Sequence, residues 1–447
     1  MASFYAIDPA SQKAFAEIPG TSDVGELVED AHRALEVEHD WRDPDVRART
    51  LARLARDVEA QAEALAEFEC RDTGKPLTQA RADVAAAVRY LDFYAGAIGR
   101  LEGRQIPLGP GLLDYTVREP WGVCGQVISW NYPLQLAARC AAPALAAGNA
   151  VILKPSELAS VTPLRLAELA EAAGVPRGMI HVATGAGDVG AALVSHPGVD
   201  HVTFVGSAAT GIAVAEACAR RLAPLELELG GKSPNVVFAD ADLDAAVPAI
   251  VRAVVQNAGQ SCSAGSRLLV ERAIYDDVIA RVAEAFDALT LGPGIEDPDV
   301  GPLISERQLE RAQRMLDGAT VLAGGGSPGG LFLRPTLVSA DPESELFQEE
   351  VFGPVLAARA FDDEREAVSL ANATRYGLVA GVWTRDLSRA HRVAGAIKAG
   401  QVFVNTYGVG GGVELPFGGM KQSGYGRGKG IEALLAYSQI KNVCVAL

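Results

Sequence analysis

One cysteine, Cys262, lies in a loop whose composition suits a reactive thiol. The loop, residues 256–267, contains glycines and small polar side chains, and it falls between a predicted helix (Asp242 to Val255) and a predicted strand (Leu268 to Val270). Structural cysteines usually lie in apolar runs, whereas a thiol in a freely turning segment can face a cavity and act as a nucleophile. A lone cysteine in a polar loop is more often incidental, so this interpretation depends on partner residues elsewhere in the chain.

Composition and charge exclude several classes of protein. The 447 residues, 49% hydrophobic and 21% charged, predict a globular chain with two or three domains. The net charge of −16, with no block of Lys and Arg, argues against nucleic acid or an anionic membrane as the main partner. No apolar run reaches the roughly 18 residues that a membrane span needs. The N-terminus lacks the pattern of a secretory signal.

The cysteines predict reduced thiols rather than a framework of disulfides. The chain has six of them, with no C-x-x-C pair and no histidine at zinc-ligand spacing. In a chain of this size without a secretory signal, that pattern is typical of a cytoplasmic protein. We therefore expect no metal site.

The hydrophobic periodicity predicts an α/β fold. The pattern is helical from Thr21 to about Arg100, and strands and helices alternate from Val123 to Leu229. Such alternation indicates a mostly parallel sheet covered on both faces, with ligands at the carboxyl ends of its strands. A second α/β unit begins at Asn235 and contains the cysteine loop. Individual predictions include helices at Val24–Ala34, Val46–Cys70, Gln79–Ile98 and Ala208–Ala219, and strands at His201–Val205, Leu225–Leu229 and Phe332–Val338.

The last predicted strand, Gln439–Val445, has no obvious partner within the chain. An unpaired strand edge is a template for pairing with another chain. The sequence therefore favours pairing of this strand with a second subunit.

Three loops after predicted strands have the composition of a dinucleotide site. Gly185–Gly190 matches G-x-G-x-x-G between a strand and a helix, and Gly206-Ser207 opens the next helix with free backbone N–H groups. Lys154 and Glu157 follow another strand, and a carboxylate near the adenosine ribose would favour NAD over NADP. Each turn alone is also typical of an ordinary tight turn, so the residues by themselves leave the dinucleotide site and the structural turns equally open.

A set of motifs in fixed order resembles the NAD(P)-dependent aldehyde dehydrogenases from about Ile7 to the C-terminus. So many motifs in one order make the resemblance highly specific. It implies an α/β fold of the aldehyde dehydrogenase type, with a Rossmann-like cofactor domain, an α/β catalytic domain and a small β oligomerisation extension. The matching segments are Pro120-Trp121-Gly122-Val123, Trp130-Asn131-Tyr132-Pro133, Lys154-Pro155-Ser156-Glu157, Phe204-Val205-Gly206-Ser207, Glu228-Leu229-Gly230-Gly231-Lys232-Ser233, Gly259-Gln260-Ser261-Cys262, Glu349-Glu350-Val351-Phe352-Gly353-Pro354 and Pro416-Phe417-Gly418-Gly419.

The resemblance implies a catalytic role for three residues. Cys262 would add to an aldehyde carbonyl, and the oxyanion of the thiohemiacetal would be held by the Asn131 side-chain amide and the Cys262 backbone N–H. After hydride transfer to the nicotinamide, Glu228 would activate water to hydrolyse the thioester. Without the resemblance, Glu228 could equally be a solvated or capping carboxylate, and Asn131 a turn former before Tyr-Pro.

The resemblance also implies cofactor and substrate residues. Lys154 and Glu157 would bind the adenosine ribose, Ser207 the pyrophosphate and Glu350 the nicotinamide ribose, with Phe352 packed by the nicotinamide. The Gly185–Gly190 loop would lie nearer the adenine, and the Gly206-Ser207 turn would meet the phosphates. The complete expected cofactor set is Trp130, Lys154, Ser156, Glu157, Gly187, Gly206, Ser207, Glu350 and Phe352, and the expected substrate set is Tyr132, Arg139, Ser261 and Ser263.

The resemblance implies a division of the chain into three parts and a homo-oligomer. Residues 1–107 and 125–231 would form the NAD-binding domain and residues 232–425 the catalytic domain. Residues 108–124 and 426–447 would form the oligomerisation segments, in a homodimer or homotetramer. The loop Gly408–Glu414 is expected near the substrate tunnel.

This chain departs from the family pattern at three places. An N-terminal strand is expected to be missing, and the stretch Gln308–Gly326 is about two helical turns short. Where many relatives have an aromatic residue followed by lysine, this chain has Arg139-Cys140. Arg139 could pair with an acidic tail of the substrate, as in semialdehyde-oxidising relatives, or it could form a structural or subunit salt bridge.

The sequence therefore predicts an NAD-linked enzyme that oxidises a small-molecule aldehyde and releases a carboxylic acid. An acylating enzyme that passes the thioester to coenzyme A is the nearest alternative, and the presence of Glu228 argues against it. A catalytically retired scaffold would be expected to lack Cys262, Glu228 or Asn131, and a thioesterase would not need the cofactor residues. The aldehyde itself is not defined by the sequence.

Overall fold

The computed structural model describes residues 3–408 and 412–447. The strands of these residues are β1 (Phe4–Asp8), β2 (Lys13–Ile18), β3 (Gln105–Ile106), β4 (Leu112–Pro120), β5 (Val123–Val127), β6 (Ala150–Lys154), β7 (Ile180–Val182), β8 (His201–Val205), β9 (Leu225–Glu228), β10 (Pro234–Val237), β11 (Arg267–Glu271), β12 (Thr320–Gly324), β13 (Thr336–Ser339), β14 (Val355–Phe361), β15 (Val379–Trp383), β16 (Gln401–Val404), β17 (Gly424–Tyr425) and β18 (Ser438–Ala446). The α-helices are α1 (Val24–Val37), α2 (Pro44–Ala60), α3 (Ala62–Thr73), α4 (Leu77–Ala97), α5 (Pro133–Ala146), α6 (Val161–Ala173), α7 (Gly187–Ser195), α8 (Ala208–Ala219), α9 (Leu243–Val255), α10 (Tyr275–Asp287), α11 (Glu306–Leu316), α12 (Glu345–Gln348), α13 (Glu364–Asn372), α14 (Leu387–Ala396) and α15 (Gly430–Ala436).

The first large sheet has six strands in the order β17-β9-β8-β5-β6-β7. Its strands are parallel except β17, which pairs antiparallel with β9. Every residue of β6 and β8 is buried, as expected for strands that are covered on both faces. The alternation of strands and helices from Val123 to Leu229 is thereby confirmed as a mostly parallel sheet.

The second large sheet has seven strands in the order β12-β13-β14-β11-β10-β15-β16. Only the β12–β13 pair is antiparallel. Its apolar core is separate from that of the first sheet. The cysteine loop lies between α9 and β11, so it is anchored by a capped helix on one side and a buried central strand on the other.

A third, small sheet gives the terminal strand a partner within the chain, which corrects the expectation that it has none, while its pairing with a second subunit stays a prediction. Within the chain, β18 pairs antiparallel with β4 along nine residues, from Ser438 opposite Pro120 to Ala446 opposite Leu112. The partner lies more than 300 residues away in sequence, so local patterning could not reveal it. The sheet has the order β18-β4-β3, and β18 keeps one edge without a strand partner among the described residues.

The N-terminal part contains a hairpin and a helical layer. β1 and β2 form an antiparallel hairpin that the sequence did not predict. The helix predicted at Val46–Cys70 is two helices, α2 and α3, that meet at Gln61. α3 ends at Gly74, whose φ of +79° turns the chain so that Lys75 points into the protein.

Two short strands cross the predicted domain boundaries. β17 belongs by sequence to the catalytic part but extends the first sheet beside β9. β3 belongs by sequence to the cofactor part but pairs with β4 in the small sheet. The C-terminal segment thus returns to the first sheet before it reaches the small one.

Candidate active site

A cavity of about 1030 Å³ receives loops from both large sheets. Loops that follow the carboxyl ends of β5, β8 and β9 reach it from the first sheet, as expected for a ligand site in a parallel sheet. The cysteine loop reaches it from the second sheet. The expected site residues that line it are Trp130, Asn131, Tyr132, Arg139, Gly206, Ser207, Glu228, Ser261, Cys262, Ser263, Glu350 and Phe352.

The backbone before Cys262 adopts an unusual conformation. Asn257, Ala258 and Gly259 have φ angles of +51°, +52° and +75°, a run of left-handed residues that is rare outside functional sites. A Cβ on Gly259 would clash with the carbonyl group of Gly353, so only glycine fits there. The strained turn ends the helix α9 abruptly and directs Cys262 toward the cavity.

The loop is also tied to the end of β9. A Cβ on Gly231 would lie 2.5 Å from the Cys262 carbonyl oxygen, so the glycine lets the two backbones approach closely. On the other side, the Tyr407 hydroxyl donates a hydrogen bond to the Ser263 carbonyl at 2.7 Å. The hydroxyls of Ser261 and Ser263, which flank Cys262 in the sequence, lie 3.1 Å apart. The backbone of the cysteine loop is therefore in contact with Gly231 on one side and with Tyr407 on the other.

The side-chain amide of Asn131 is oriented by two hydrogen bonds. Its Nδ2 donates to the Gln260 carbonyl at 3.0 Å, and its Oδ1 accepts from the Ser129 hydroxyl at 2.7 Å. An amide nitrogen carries two hydrogens, so the bond to Gln260 leaves the second one for a ligand. Because Gln260 precedes Cys262 by two residues, this bond also connects the amide to the cysteine loop.

A buried lysine holds the backbone of Asn131. The Lys75 ammonium donates to the Asn131 carbonyl at 2.8 Å, contacts the Asp83 carboxylate and lies 3.6 Å from Glu69. Lys75 is 1% exposed and Glu69 is fully buried. Burial raises the pKa of Glu69 to about 7, while the Lys75 charge acts in the opposite direction. The sequence interpretation missed this cluster, although the polar break at residues 72–76 marked its position.

The electrostatic surroundings of the thiol contain charges of both signs. Burial raises the pKa of the Cys262 thiol, and the Glu350 carboxylate adds to that effect. The cations of Arg139 and Lys429 lower it and so favour the thiolate. Lys429 lines the cavity and was not among the expected residues, although it lies in the glycine-rich passage 408–430.

Glu228 lies at the end of β9 and is 4% exposed. Its carboxylate contacts the Arg139 guanidinium of α5. The structure thus places Arg139 inside the cavity, in an ion pair within one chain. The Arg139 guanidinium also lies 5.3 Å above the Phe417 ring, and its Nε has no hydrogen-bond partner among the described residues.

Four expected cofactor residues lie outside the cavity lining. Lys154 ends β6, and its ammonium lies 3.7 Å from the Glu157 carboxylate. Burial lowers the pKa of Lys154, and Glu157 opposes that shift. Ser156 caps the intervening turn by accepting a hydrogen bond from the Leu158 backbone at 3.3 Å, and Gly187 is the first residue of α7. Since Leu158 lines the cavity, this cluster lies next to one end of it.

The turn at Ser207 begins the helix α8. The Ser207 hydroxyl accepts a hydrogen bond from the Thr210 backbone, as an N-cap does. A Cβ on Gly206 would lie 2.6 Å from the Phe204 ring, so the turn requires glycine. Backbone N–H groups at a helix N-terminus favour a phosphate, which fits the predicted pyrophosphate position.

The loop after α12 supplies a carboxylate and an aromatic ring. Glu350 accepts a hydrogen bond from the Gly231 backbone at 3.0 Å, and burial raises the pKa of Glu350 to about 7. The Phe352 ring meets the Trp130 ring edge to face at 5.3 Å, although Phe352 has a φ of +59°. Gln308 holds that strained residue by donating to its carbonyl at 2.7 Å. These groups offer a carboxylate for ribose hydroxyls and an apolar wall, so they fit the nicotinamide end of a dinucleotide.

The expected substrate residues converge beside the thiol. The centre of the Tyr132 ring lies 4.3 Å from the Lys75 ammonium. Burial raises the pKa of the Tyr132 hydroxyl, and a hydrogen bond with Ser261 opposes that rise. The predicted loop Gly408–Glu414 lies partly outside the described residues, which resume at Gly412.

Comparison with known proteins agrees with this arrangement. The model of the Aldehyde dehydrogenase family matches residues 2–443. A betaine aldehyde dehydrogenase of Vibrio vulnificus (strain CMCP6) is 41% identical over 463 residues, which cover 100% of this chain and 94% of that protein. A 4-trimethylaminobutyraldehyde dehydrogenase of Homo sapiens is 39% identical, with 99% and 92% covered. The structure of the NAD+ complex of an aldehyde dehydrogenase from Bacillus cereus superposes with a TM-score of 0.97 at 36% identity, covering 100% of this chain and 93% of that one.

The chain therefore belongs to the aldehyde dehydrogenase family. It is an enzyme that oxidises an aldehyde to a carboxylic acid, and the predicted α/β fold of the aldehyde dehydrogenase type is confirmed. Its relatives favour neither the acylating enzyme nor the retired scaffold. Among the described residues, no helix combines the length and apolar character that crossing a bilayer requires.

Proposed function

We propose that Cys262 is the nucleophile and Asn131 the oxyanion donor of this aldehyde dehydrogenase. The observation that carries the proposal is the hydrogen bond from Asn131 to Gln260, which connects the Asn131 amide to the loop that carries Cys262. Addition of the thiolate to the aldehyde carbon gives a thiohemiacetal. Its oxyanion is stabilised by the second Asn131 N–H and by the Cys262 backbone N–H.

Glu228 is the general base of the hydrolytic step in this proposal. It lines the same cavity as Cys262 and is shielded from bulk water, so a water molecule between them can be deprotonated as it attacks the thioester. The bond between carbon and sulfur then breaks, and the electron pair returns to Cys262. Arg139, in contact with the carboxylate, keeps Glu228 ionised between turnovers.

The cofactor of the proposal is NAD rather than NADP. When bound, NAD would supply the acceptor for the hydride that leaves the thiohemiacetal carbon. The Glu350 carboxylate would orient the nicotinamide ribose, the Gly206-Ser207 turn would bind the pyrophosphate, and Lys154 and Glu157 would bind the adenosine ribose. Because Glu157 carries a negative charge, it repels a 2′-phosphate.

The test is the absorbance of reduced nicotinamide with purified protein, NAD or NADP and a panel of aldehydes. We expect reduction with NAD by the native enzyme and none by Cys262→Ala, with Ser388→Ala, at an exposed position of α14, as the control that retains the thiol. Reduction of NAD by the Cys262→Ala variant would show that Cys262 is not the nucleophile. Reduction with NADP alone would refute the cofactor preference and leave the nucleophile standing.

We further propose that the aldehyde carries an anionic tail. Arg139 and Lys429 line the cavity beside the thiol, and although the Arg139 guanidinium contacts Glu228, its buried Nε has no hydrogen-bond partner among the described residues. The relatives named for betaine aldehyde and 4-trimethylaminobutyraldehyde are named for cationic aldehydes, which basic side chains in the cavity would disfavour here. Steady-state kinetics with succinate semialdehyde, a neutral aldehyde of equal length and betaine aldehyde decide the matter. A higher kcat/KM for betaine aldehyde, or no preference, would contradict the proposal.

The proposed setting is a cytoplasmic homodimer or homotetramer. All six cysteines have free thiols, which suits a reducing compartment. The edge of β18 offers nine residues for pairing with a second copy, and four of them are polar or basic. The mass of the native particle by light scattering tests the assembly, and a monomer at micromolar concentration would contradict it.

A further inference from the structure

A second buried carboxylate lies beside the proposed base. Glu226 and Glu228 are two residues apart in β9, so their side chains project from the same face of the sheet. Both are almost completely buried, with 3% and 4% of their surface exposed. A Cβ on Gly428 would clash with Glu228 Oε1 and would lie 3.2 Å from Glu226 Oε1. The two carboxylate oxygens therefore border the same small space next to a glycine.

The surroundings of the two carboxylates differ. Glu228 contacts the Arg139 guanidinium, and a cation in contact stabilises the ionised form of a carboxylate. Glu226 Oε1 has no hydrogen-bond partner among the described residues, and apart from the Arg139 contact neither has the Glu228 carboxylate. Burial raises the pKa of Glu226 to about 7, against the opposing charges of Arg139 and Arg427. Glu226 can therefore bind and release a proton near neutral pH.

Glu226 is also close to a turn that is exposed to solvent. It lies directly beneath the turn 426–428, because a Cβ on Gly426 would be 2.5 Å from its Cγ, and Gly426 itself is exposed. The titratable and charged groups that influence Glu226, or that Glu226 influences, are Glu228 of β9, Arg139 and Cys140 of α5, Tyr94 of α4, Arg427 of the turn and Tyr437 before β18.

We propose that Glu226 receives the proton that Glu228 removes from the hydrolytic water and releases it to solvent beneath the glycine turn. The inference rests on the proposed role of Glu228. As water attacks the thioester carbon, its proton moves to Glu228, and the carbon–sulfur bond breaks with its electron pair on Cys262. The proton then passes from Glu228 to the ionised Glu226, which restores the base. Glu226 acts through Glu228 and touches no substrate atom.

The test separates formation of the acyl-enzyme from its hydrolysis. Native enzyme and Glu226→Gln are mixed with NAD and aldehyde, the first turnover is followed by absorbance, and acid-quenched samples are weighed by mass spectrometry for acyl groups on Cys262. We expect an unchanged first turnover in the variant, accumulation of the acyl-enzyme, and a loss of at least about tenfold in its hydrolysis rate. Glu168→Gln, an exposed residue of α6, is the matched control and should leave both phases unchanged.

The pH dependence distinguishes a proton acceptor from a structural residue. A carboxylate accepts a proton only when ionised, so the hydrolysis rate of the native enzyme should rise with pH through about 7 and then level off. Glu226→Gln should lose that rise, and Glu226→Asp should restore it in part. In Glu228→Gln, a further Glu226→Gln change should add little, because the two act in series.

Three outcomes decide between the proposals. A folded Glu226→Gln enzyme with native hydrolysis and a native pH profile would overturn the role of Glu226 alone. If that variant does not fold, a native enzyme whose hydrolysis is independent of pH between 6 and 8 (roughly one unit either side of the expected ionisation) would overturn it equally. A native enzyme that never acylates Cys262 would overturn the proposed function itself.

Discussion

Lys75, whose ammonium group holds the Asn131 carbonyl, is buried away from solvent. Lys75 joins the Asn131 carbonyl to two buried carboxylates, Asp83 and Glu69, and lies over the Tyr132 ring. Removal of one partner from such a cluster leaves uncompensated charge in the interior. The lysine therefore supports both the stability of the helical layer and the position of the oxyanion donor.

We expect Lys75→Met to lower the free energy of unfolding by about 3–5 kcal/mol at pH 7, and to lower kcat more than it raises KM. The loss of stability should shrink as the pH falls below about 7, because burial already raises the pKa of Glu69 to about 7 and the protonated carboxyl no longer needs a counter-ion. Urea unfolding at several pH values and steady-state kinetics measure both effects. Lys13→Met, at an exposed position of β2, is the control. Equal effects of the two changes would show that the cluster does not support the site.

At the scale of elements, the turn before Cys262 concentrates strain at the catalytic loop. Three consecutive residues with positive φ, ending at Gly259, replace what would otherwise be a further turn of α9. The turn is closed by the Gly353 backbone, which comes from the same loop as Glu350 and Phe352. The loop that carries Cys262 and the loop that carries Glu350 and Phe352 are thus packed against each other at Gly259.

Gly259→Ala should abolish activity and destabilise the protein, because the added Cβ combines a positive φ with a clash against the Gly353 carbonyl. Gly318 offers a matched control, since its φ of +74° is nearly the same as the +75° of Gly259 and no atom lies within 4 Å of its Cβ position. Gly318→Ala should therefore show only the cost of the backbone conformation, about 1 kcal/mol, with full activity. Thermal unfolding and activity assays of both variants provide the comparison. Similar losses in the two would mean that the contact with Gly353 is unimportant.

The elements that the sequence predicts well are those with strong local signals. β8 (His201–Val205) and α8 (Ala208–Ala219) have the predicted bounds, because an apolar run, a Gly-Ser turn and an N-cap serine mark them. The strand predicted at Phe332–Val338 begins only at Thr336, since Pro335 before it cannot donate to the ladder. The hairpin β1–β2 was missed because its strands have only five and six residues and no Asn-Gly or Asp-Gly turn marks their connection.

The same distinction applies to the site residues, because those within motifs were predicted and those outside motifs were missed. Cys262, Glu228 and Asn131 are found by motif, and the structure brings them to one cavity. Lys75 was missed because its carboxylate partners Glu69 and Asp83 lie in the two flanking helices, where the sequence shows no contact, and the Asn131 carbonyl lies in a distant segment. Glu226 could have been found, since the predicted strand Leu225–Leu229 places it on the same face as Glu228. A charged residue two positions from Glu228 in a predicted strand indicates a second carboxylate on the same face of the sheet.

At the scale of the whole molecule, the cofactor must bind to a chain with a net charge of −16. Long-range repulsion therefore opposes any phosphorylated ligand, and local groups must compensate for it. In the proposed complex, the Gly206-Ser207 turn would do so for the pyrophosphate through backbone N–H groups. A 2′-phosphate would meet the Glu157 carboxylate, and the Lys154 ammonium beside it already lies in an ion pair with Glu157.

We expect NAD to raise the temperature of unfolding more than NADP at equal concentration. A ligand at 100 times its dissociation constant stabilises a protein by about 2.7 kcal/mol, so a weaker ligand gives a measurably smaller shift. Glu157→Gln should narrow the difference, and Glu168→Gln, an exposed carboxylate on α6, should not. Since the Glu157 side chain is 45% exposed, its repulsion is partly screened, and added salt should narrow the difference in the native enzyme as well. A larger rise of the unfolding temperature with NADP would contradict the preference for NAD. A preference for NAD that changes neither with Glu157→Gln nor with salt would show that it does not depend on the charge of Glu157.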